Sequence, residues 1–212
     1  MRGAPSPSPE PVGDRAATHR DRILTGLATA LAEKGYAATT IADIAAAARV
    51  SRTTVYAEFA DKDQALIALY ASLTDRMLGE LERTLPLLEP TLSWQDKVRA
   101  LADAYLDAIA AATEGERLSL LEIASAGPAA RAERREILGG FWSTVDRISG
   151  RLQDEHDGVR ALGEPLAVCV VGAVNELVLH AADDGPDAVR ALGPTVTTMI
   201  VRLMVLPPGS SD

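Results

Sequence analysis

The stretch from Thr39 to Phe59, TTIADIAAAARVSRTTVYAEF, decides the fold. Thr40-Ile41-Ala42-Asp43 has the spacing of a capping box and opens a short helix. Ser51 is placed to cap a second, running from Arg52 to about Phe59. Only Arg49-Val50-Ser51 separates the two, and the small residues Ala45 to Ala48 let them approach closely at the bend. Two short helices joined this way read as a helix-turn-helix: the second lies in the DNA major groove and the first braces it. Ile41, Ile44, Val50, Val55 and Phe59 are expected to point inward onto a preceding helix carrying Ile23, Leu27 and Leu31. The opposite face of the second helix shows Arg52, Thr53, Thr54 and Tyr56. Arg forks onto guanine, Thr meets a phosphate or a thymine methyl, and a Tyr hydroxyl holds a phosphate.

Working outward, residues 1–17 are rich in Pro, Ser and Gly and are expected to form a disordered arm. Everything after them reads as helix. Gly35 looks like a residue just past a helix end. Asp61, with Gln64 three residues on, opens a long helix to Leu85, before Pro86. Further helices fit Ser93–Thr113, Glu116–Ala124, Pro128–Asp154, Glu164–Ala182 and Asp187–Leu206, separated by Gly and Pro breaks. The expected fold is all-α: an N-terminal three-helix helix-turn-helix domain over residues 18–62, a C-terminal helical ligand-binding and dimerisation domain over 63–206, and a tail over 207–212.

Composition narrows the function. The 212 residues carry 21 Lys and Arg against 30 Asp and Glu, a formal net charge of -9. Such a chain is no generic polyanion binder, so a nucleic-acid site must be local. The deficit lies in the body: residues 1–62 hold 8 basic and 7 acidic side chains, net +1, and the remainder 13 and 23, net -10. One cysteine, Cys169, excludes a disulfide framework and a cysteine zinc site. The three histidines are scattered, and no nucleophile–base pair or cofactor motif is evident, so neither an enzyme nor a metal or cofactor protein is expected. The longest uninterrupted apolar run, Leu166 to Val174, is too short to span a bilayer. No signal peptide is read at the start, and a soluble cytoplasmic protein without a membrane partner is expected.

The segment DRILTGLATALAEKGYAATTIADIAAAARVSRTTVYAEFADKDQAL resembles the N-terminal domain of TetR-family transcriptional regulators. The likeness runs from about Arg20 to Leu69 and includes EKGY, TTIADIA, VSRTTVY and the Phe59–Lys62 spacing. It implies a dimeric all-α repressor that a small molecule releases from a near-palindromic operator. It implies that Ser51, Arg52, Thr53, Thr54, Tyr56 and Ala57 occupy the recognition helix. Thr39 or Thr40 would meet phosphate at the start of the bracing helix, and Lys62 at the start of the long connecting helix. Three positions depart from the family's habit. Arg49 stands where Gly is common, so it must adopt a left-handed conformation, from which it is either exposed or reaches a phosphate. Thr53 replaces another common Gly. Glu58 replaces a frequent His, and its carboxylate would repel phosphate, accept from cytosine, or pair with Arg52 or Lys62. Arg15, Arg20 and Arg22 are either a basic arm for the minor groove or a solvated helix start.

The body offers faces rather than motifs. Leu166 to Val174 is apolar all round, so its helix is expected to be buried on two sides, its own domain and a partner subunit. The last helix carries Val189, Leu192, Val196, Met199, Ile200 and Leu203 in a near-heptad stripe. A homodimer through the last two helices, about 164–206, follows. Cys169, Gly172, Glu176 and Leu179 share one side, with Asn175 at its margin. Asn175 and Glu176 are either ligand anchors, or satisfied internally, or exposed. Phe141, Trp142 and Val145 form a stripe that Tyr105 and Ile109 should face. A pocket built from these residues would take a largely hydrophobic effector. The alternatives are a helical ligand-binding protein, or an architectural DNA binder, without operator recognition.

Overall fold

The computed structural model describes residues 18–123, 126–182 and 184–205. The expected arm over 1–17 and tail over 207–212 lie outside them. Among the described residues ten helices follow in order: α1 His19–Ala38, α2 Ile41–Ala48, α3 Arg52–Glu58, α4 Lys62–Thr84, α5 Trp94–Ala110, α6 Glu114–Glu122, α7 Pro128–Glu155, α8 Gly163–Ala182, α9 Pro186–Arg190 and α10 Gly193–Met204. A 3-10 turn over Leu85–Leu87 ends α4. An antiparallel bridge between Val159 and Val205 is the one β-type pairing among the described residues.

Local signals account for most boundaries. Capping boxes open α1 (Thr18 with Asp21), α2 (Thr40 with Asp43) and α6 (Thr113 with Glu116). Asp61 accepts from the Gln64 amide at the start of α4. At Gly35 the φ of 70° breaks α1, and one further turn continues to Ala38. Helix α6 starts at Glu114 rather than Glu116, because Thr113 supplies its cap. The single C-terminal helix expected from Asp187 is in fact two. Pro194 lacks the amide that would continue α9, and the chain restarts at Gly193.

Two apolar cores form. The head core joins Ile23, Leu27 and Leu31 of α1 to Ile44, Val55 and Phe59, with Ile41 and Val50 partly buried against it. It extends into α4 through Ala65, Leu66, Leu69 and Tyr70, and is closed by Ile123, Ala126 and Ala130. The body core begins further along α4 at Leu73, Met77 and Leu81, and gathers α5, α7, α8 and α10, with Trp94 buried in it and Trp142 packed against it. Helix α4 therefore serves both cores. Helix α6 also presses on α1: a Cβ on Gly115 would fall 1.7 Å from the Ala28 carbonyl oxygen, so the two backbones touch directly.

Helix α8 corrects the expectation that nothing here is long enough for a bilayer. Residues 163–181 have the length and a mean hydropathy of 1.4. The length of an unbroken apolar run misses this, because isolated polar residues interrupt the run and still leave the average high. Its valine face builds the body core, while Glu164, Glu176 and His180 are exposed on it, and charged groups are costly at bilayer depth.

Candidate nucleic-acid interface and body cavity

The turn between α2 and α3 is built from two directions. Arg49 adopts φ 54°, ψ 46°, the left-handed conformation its position demands, and its amide closes α2 onto the Ala45 and Ala46 carbonyls. From α1, the Arg22 guanidinium donates to the Ala48 carbonyl at 3.0 Å and the Arg49 carbonyl at 2.8 Å. Arg22 thus clamps the turn, and Arg20 lies 4.6 Å over the Phe59 ring. Neither is a free arm, and Arg15 lies outside the described residues. Beneath the turn Gly26 is essential: a Cβ there would come within 2.6 Å of the Ala48 amide. Sequence reading misses these roles of Arg22 and Gly26, because both residues act across more than 20 positions.

The outer face of α3 carries Arg52, Thr53, Tyr56, Ala57 and Glu58, all exposed. Tyr56 is 57% exposed, although it is an aromatic residue on a short helix over an apolar core. Arg52, Thr53, Tyr56 and Glu58 make no side-chain hydrogen bond or ion pair among the described residues. Ser51 and Thr54 are less free: the Ser51 hydroxyl accepts the Thr54 amide at 3.0 Å and lies 2.9 Å from the Thr54 hydroxyl. At α2, Thr40 is exposed with its hydroxyl on Asp43.

Two expected phosphate contacts are placed elsewhere. Thr39 is 1% exposed, and its hydroxyl donates to the Gly35 carbonyl at 2.7 Å and towards that of Ala30 at 3.3 Å. It ties α1 to α2 and presents nothing outward. Lys62 folds back, donating to the Tyr36 carbonyl at 3.0 Å and the Thr39 carbonyl at 3.2 Å, with its ammonium 4.3 Å from the centre of the Tyr36 ring. Two of its three donors are spent on the α1 C-terminus. The Tyr36 hydroxyl donates to Asp63, and burial together with that carboxylate pushes the phenol well above its ordinary range. Lys34 and Asp43 pair between α1 and α2; the Lys34 hydrogen bond, then those from Thr40, bring the Asp43 carboxyl down to about 2.

In the body, a cavity of about 90 Å³ lies between α5, α7, α8 and α10. Tyr105, Phe141 and Val145 line it as expected from their faces, and the Tyr105 and Phe141 rings meet edge-on with centroids 5.4 Å apart. Its α8 wall is Val170, Val171 and Val174. The expected face of α8 is therefore corrected. Cys169, Gly172 and Glu176 are exposed, Leu179 is half-buried, and none lines the cavity. An all-round apolar helix carries no asymmetry to tell its inside from its outside, and Glu176 lies on the outer side of α8. Asn175 accepts weakly from the Tyr105 hydroxyl at 3.4 Å and stays at the margin. Ile109 is fully buried in the core and Trp142 only packs against it; neither reaches the cavity.

Residues 23–69 match the family model for bacterial regulatory proteins of the tetR family. No curated protein matches the chain. Solved structures match along nearly its whole length. The fatty acid degradation regulator FadR from Bacillus halodurans is 20% identical, with a TM-score of 0.73 over 89% of this chain and 97% of that one. FadR from Bacillus subtilis, in complex with stearoyl-CoA, is 21% identical, with a TM-score of 0.68 over 86% and 98%. The TetR-family regulator PfmR from Thermus thermophilus is 22% identical, with a TM-score of 0.67 over 92% and 100%. Over residues 23–69 the chain is thus similar to bacterial regulatory proteins of the tetR family, and over nearly its whole length it shares the fold of these solved regulators.

Proposed function

We propose that the chain is a cytoplasmic one-component repressor, not an enzyme. In this reading the head over residues 18–62 reads DNA, and the body over 63–206 dimerises and senses a small, largely hydrophobic molecule. The observation that carries the DNA reading is the outer face of α3. Arg52, Thr53 and Tyr56 stand exposed on a helix whose turn is clamped by Arg22 and whose other side is buried. A rigid helix presenting unspent donors is what base reading requires. Ala57 allows close approach, Thr40, Ser51 and Thr54 lie at helix starts beside the backbone path, and Arg49 is exposed at the turn.

Dimerisation is supported by what α8 and α10 leave uncovered. Val168, Cys169 and Gly172 are exposed on α8, with Ala173 half-exposed. On α10, Met199 and Leu203 with Pro194, Thr195, Thr198 and Arg202 line a shallow depression. A two-fold axis through these helices would set two recognition helices about one DNA turn apart, roughly 34–36 Å, and would require a near-palindromic operator. Effector release then follows by population shift: a ligand that favours one body arrangement swings α4, which both cores share, and changes the spacing of the heads.

The test is operator selection from random duplexes with the purified protein, read by sequencing, alongside sedimentation at micromolar concentration. A dimer enriching a palindrome with half-sites one turn apart is the expected result. A folded monomer, or a dimer that enriches nothing, overturns the reading.

A further inference from the structure

One charged side chain among the described residues of the body is buried. Lys97, on α5, is 6% exposed and pairs with Glu155 of α7 at 2.7 Å. The pair is lopsided, because the Glu155 side chain is 48% exposed. Neither side chain lines the body cavity, but the pair sits just beyond residues that do. On α5 the lining residues Val98 and Leu101 follow Lys97 directly and one turn later. On α7 the lining residue Leu152 precedes Glu155 by one turn. At the far end of the same two helices the Tyr105 and Phe141 rings meet.

The other polar groups of the cavity wall are already occupied. Ser149 donates to the Asp146 carbonyl at 2.8 Å and accepts the Leu162 amide at 3.0 Å. The Tyr105 hydroxyl is directed at Asn175. Next to Glu155, the His156 Nε2 atom is buried and has no partner among the described residues. Arg151 and His156 also act on Glu155, although Lys97, by its hydrogen bond, is the main cause of that carboxyl lying below its ordinary range.

From this placement we propose that the body cavity binds an amphiphile with a terminal carboxylate, whose head replaces Glu155 on Lys97 while its apolar chain enters between α5 and α7. The proposal rests on the reading of the cavity as the effector site. The exchange is balanced in charge. Glu155 can rotate into water at little cost, whereas Lys97 cannot follow it, and a buried ammonium left unpaired is strongly disfavoured. Whatever displaces Glu155 must therefore bring an anion. The size of the cavity supports the same reading. At about 90 Å³ it lies below the roughly 300–1,000 Å³ of occupied ligand pockets. A longer chain must widen the space between α5 and α7, and the Lys97–Glu155 bond joins those helices just beyond the lining residues Val98 and Leu152. An uncharged head leaves the bond intact, and a thioester places no charge at that point.

The experiment compares octanoic, dodecanoic and hexadecanoic acids with the alcohols of equal length and with dodecanoyl-CoA. Binding to the full chain is followed by calorimetry and by the emission of Trp94, which sits one turn before Lys97. The expected result is an acid bound at least ten-fold more tightly than its alcohol, and more tightly than the thioester. Lys97→Gln should abolish that preference. Lys97→Arg, which keeps the charge should the glutamine variant fold poorly, should retain most of it. Glu155→Gln should tighten the acid several-fold by removing the competitor. Equal affinity for acid and alcohol, or a preference that survives Lys97→Gln, overturns the carboxylate proposal and leaves the cavity reading standing. A tighter thioester does the same. Failure of every probe to bind overturns both.

Discussion

Arg52 and Thr39 show how differently two candidate contact residues can be placed within one short motif. Both were candidates for DNA contact, yet Arg52 stands free at the start of α3 while the Thr39 hydroxyl is consumed by two carbonyls of α1. Arg52→Ala should weaken operator binding by about 1–3 kcal/mol and relax one base position, because a base-reading side chain carries sequence preference. Thr39→Ala should instead lower stability and leave the base preference as it was. Binding titrations against a set of operator variants check both. A uniform loss across all sequences with Arg52→Ala would make it a phosphate contact.

Among the elements, α2 shows a cap working across helices as well as within one. Asp43 completes the capping box with Thr40 and pairs with Lys34 of α1. Its carboxyl titrates near 2 when folded, against an ordinary value of 3.8. A depressed folded pKa stabilises above the unfolded value, so this contribution is complete above about pH 4 and is lost as pH falls through about 2. Proton resonance of the Asp43 side chain, followed from pH 5 to pH 2, should show the low titration and a simultaneous loosening of α2. Asp43→Asn should remove this residue's share of the pH dependence in that window and leave those of Asp21, Glu116 and Glu155, whose carboxyls are also held below their ordinary range. This box was readable directly from Thr-x-x-Asp, as were the Asp61 cap and the left-handed turn residue. The same signal at Thr113–Glu116 would have started α6 two residues earlier. Gly193-Pro194 likewise announced the break between α9 and α10. The inward face of α8 was not readable, since valines and alanines surround the helix and only tertiary packing decides which of them meet α5 and α7. Nor were Arg22, Lys62 and Lys97 readable as inward-facing, because each finds its partner more than 20 positions away.

At the scale of the molecule, α4 runs through both cores, and α6 packs on α1 with a direct backbone contact of Gly115 against Ala28. Any side chain at position 115 must push α6 off α1. Gly115→Ala should destabilise by about 1–3 kcal/mol, as overpacking usually does, which at roughly 2–4 °C per kcal/mol for a chain of this size is several degrees of melting temperature. It should also weaken the link between effector binding and operator release. A calorimetric melt and an operator titration with and without effector measure the two effects separately. An unchanged melting temperature would mean that the contact is not rigid.

The two cores carry a practical consequence for spectroscopy. Both tryptophans, Trp94 and Trp142, belong to the body, so indole emission is blind to the head. Backbone circular dichroism sees every helix. Recording the two signals in one thermal ramp therefore separates the halves without any label. Coincident curves would mean that α4 makes the chain melt as one cooperative unit. An ellipticity loss that precedes the emission change would be the head core coming apart while the body core holds.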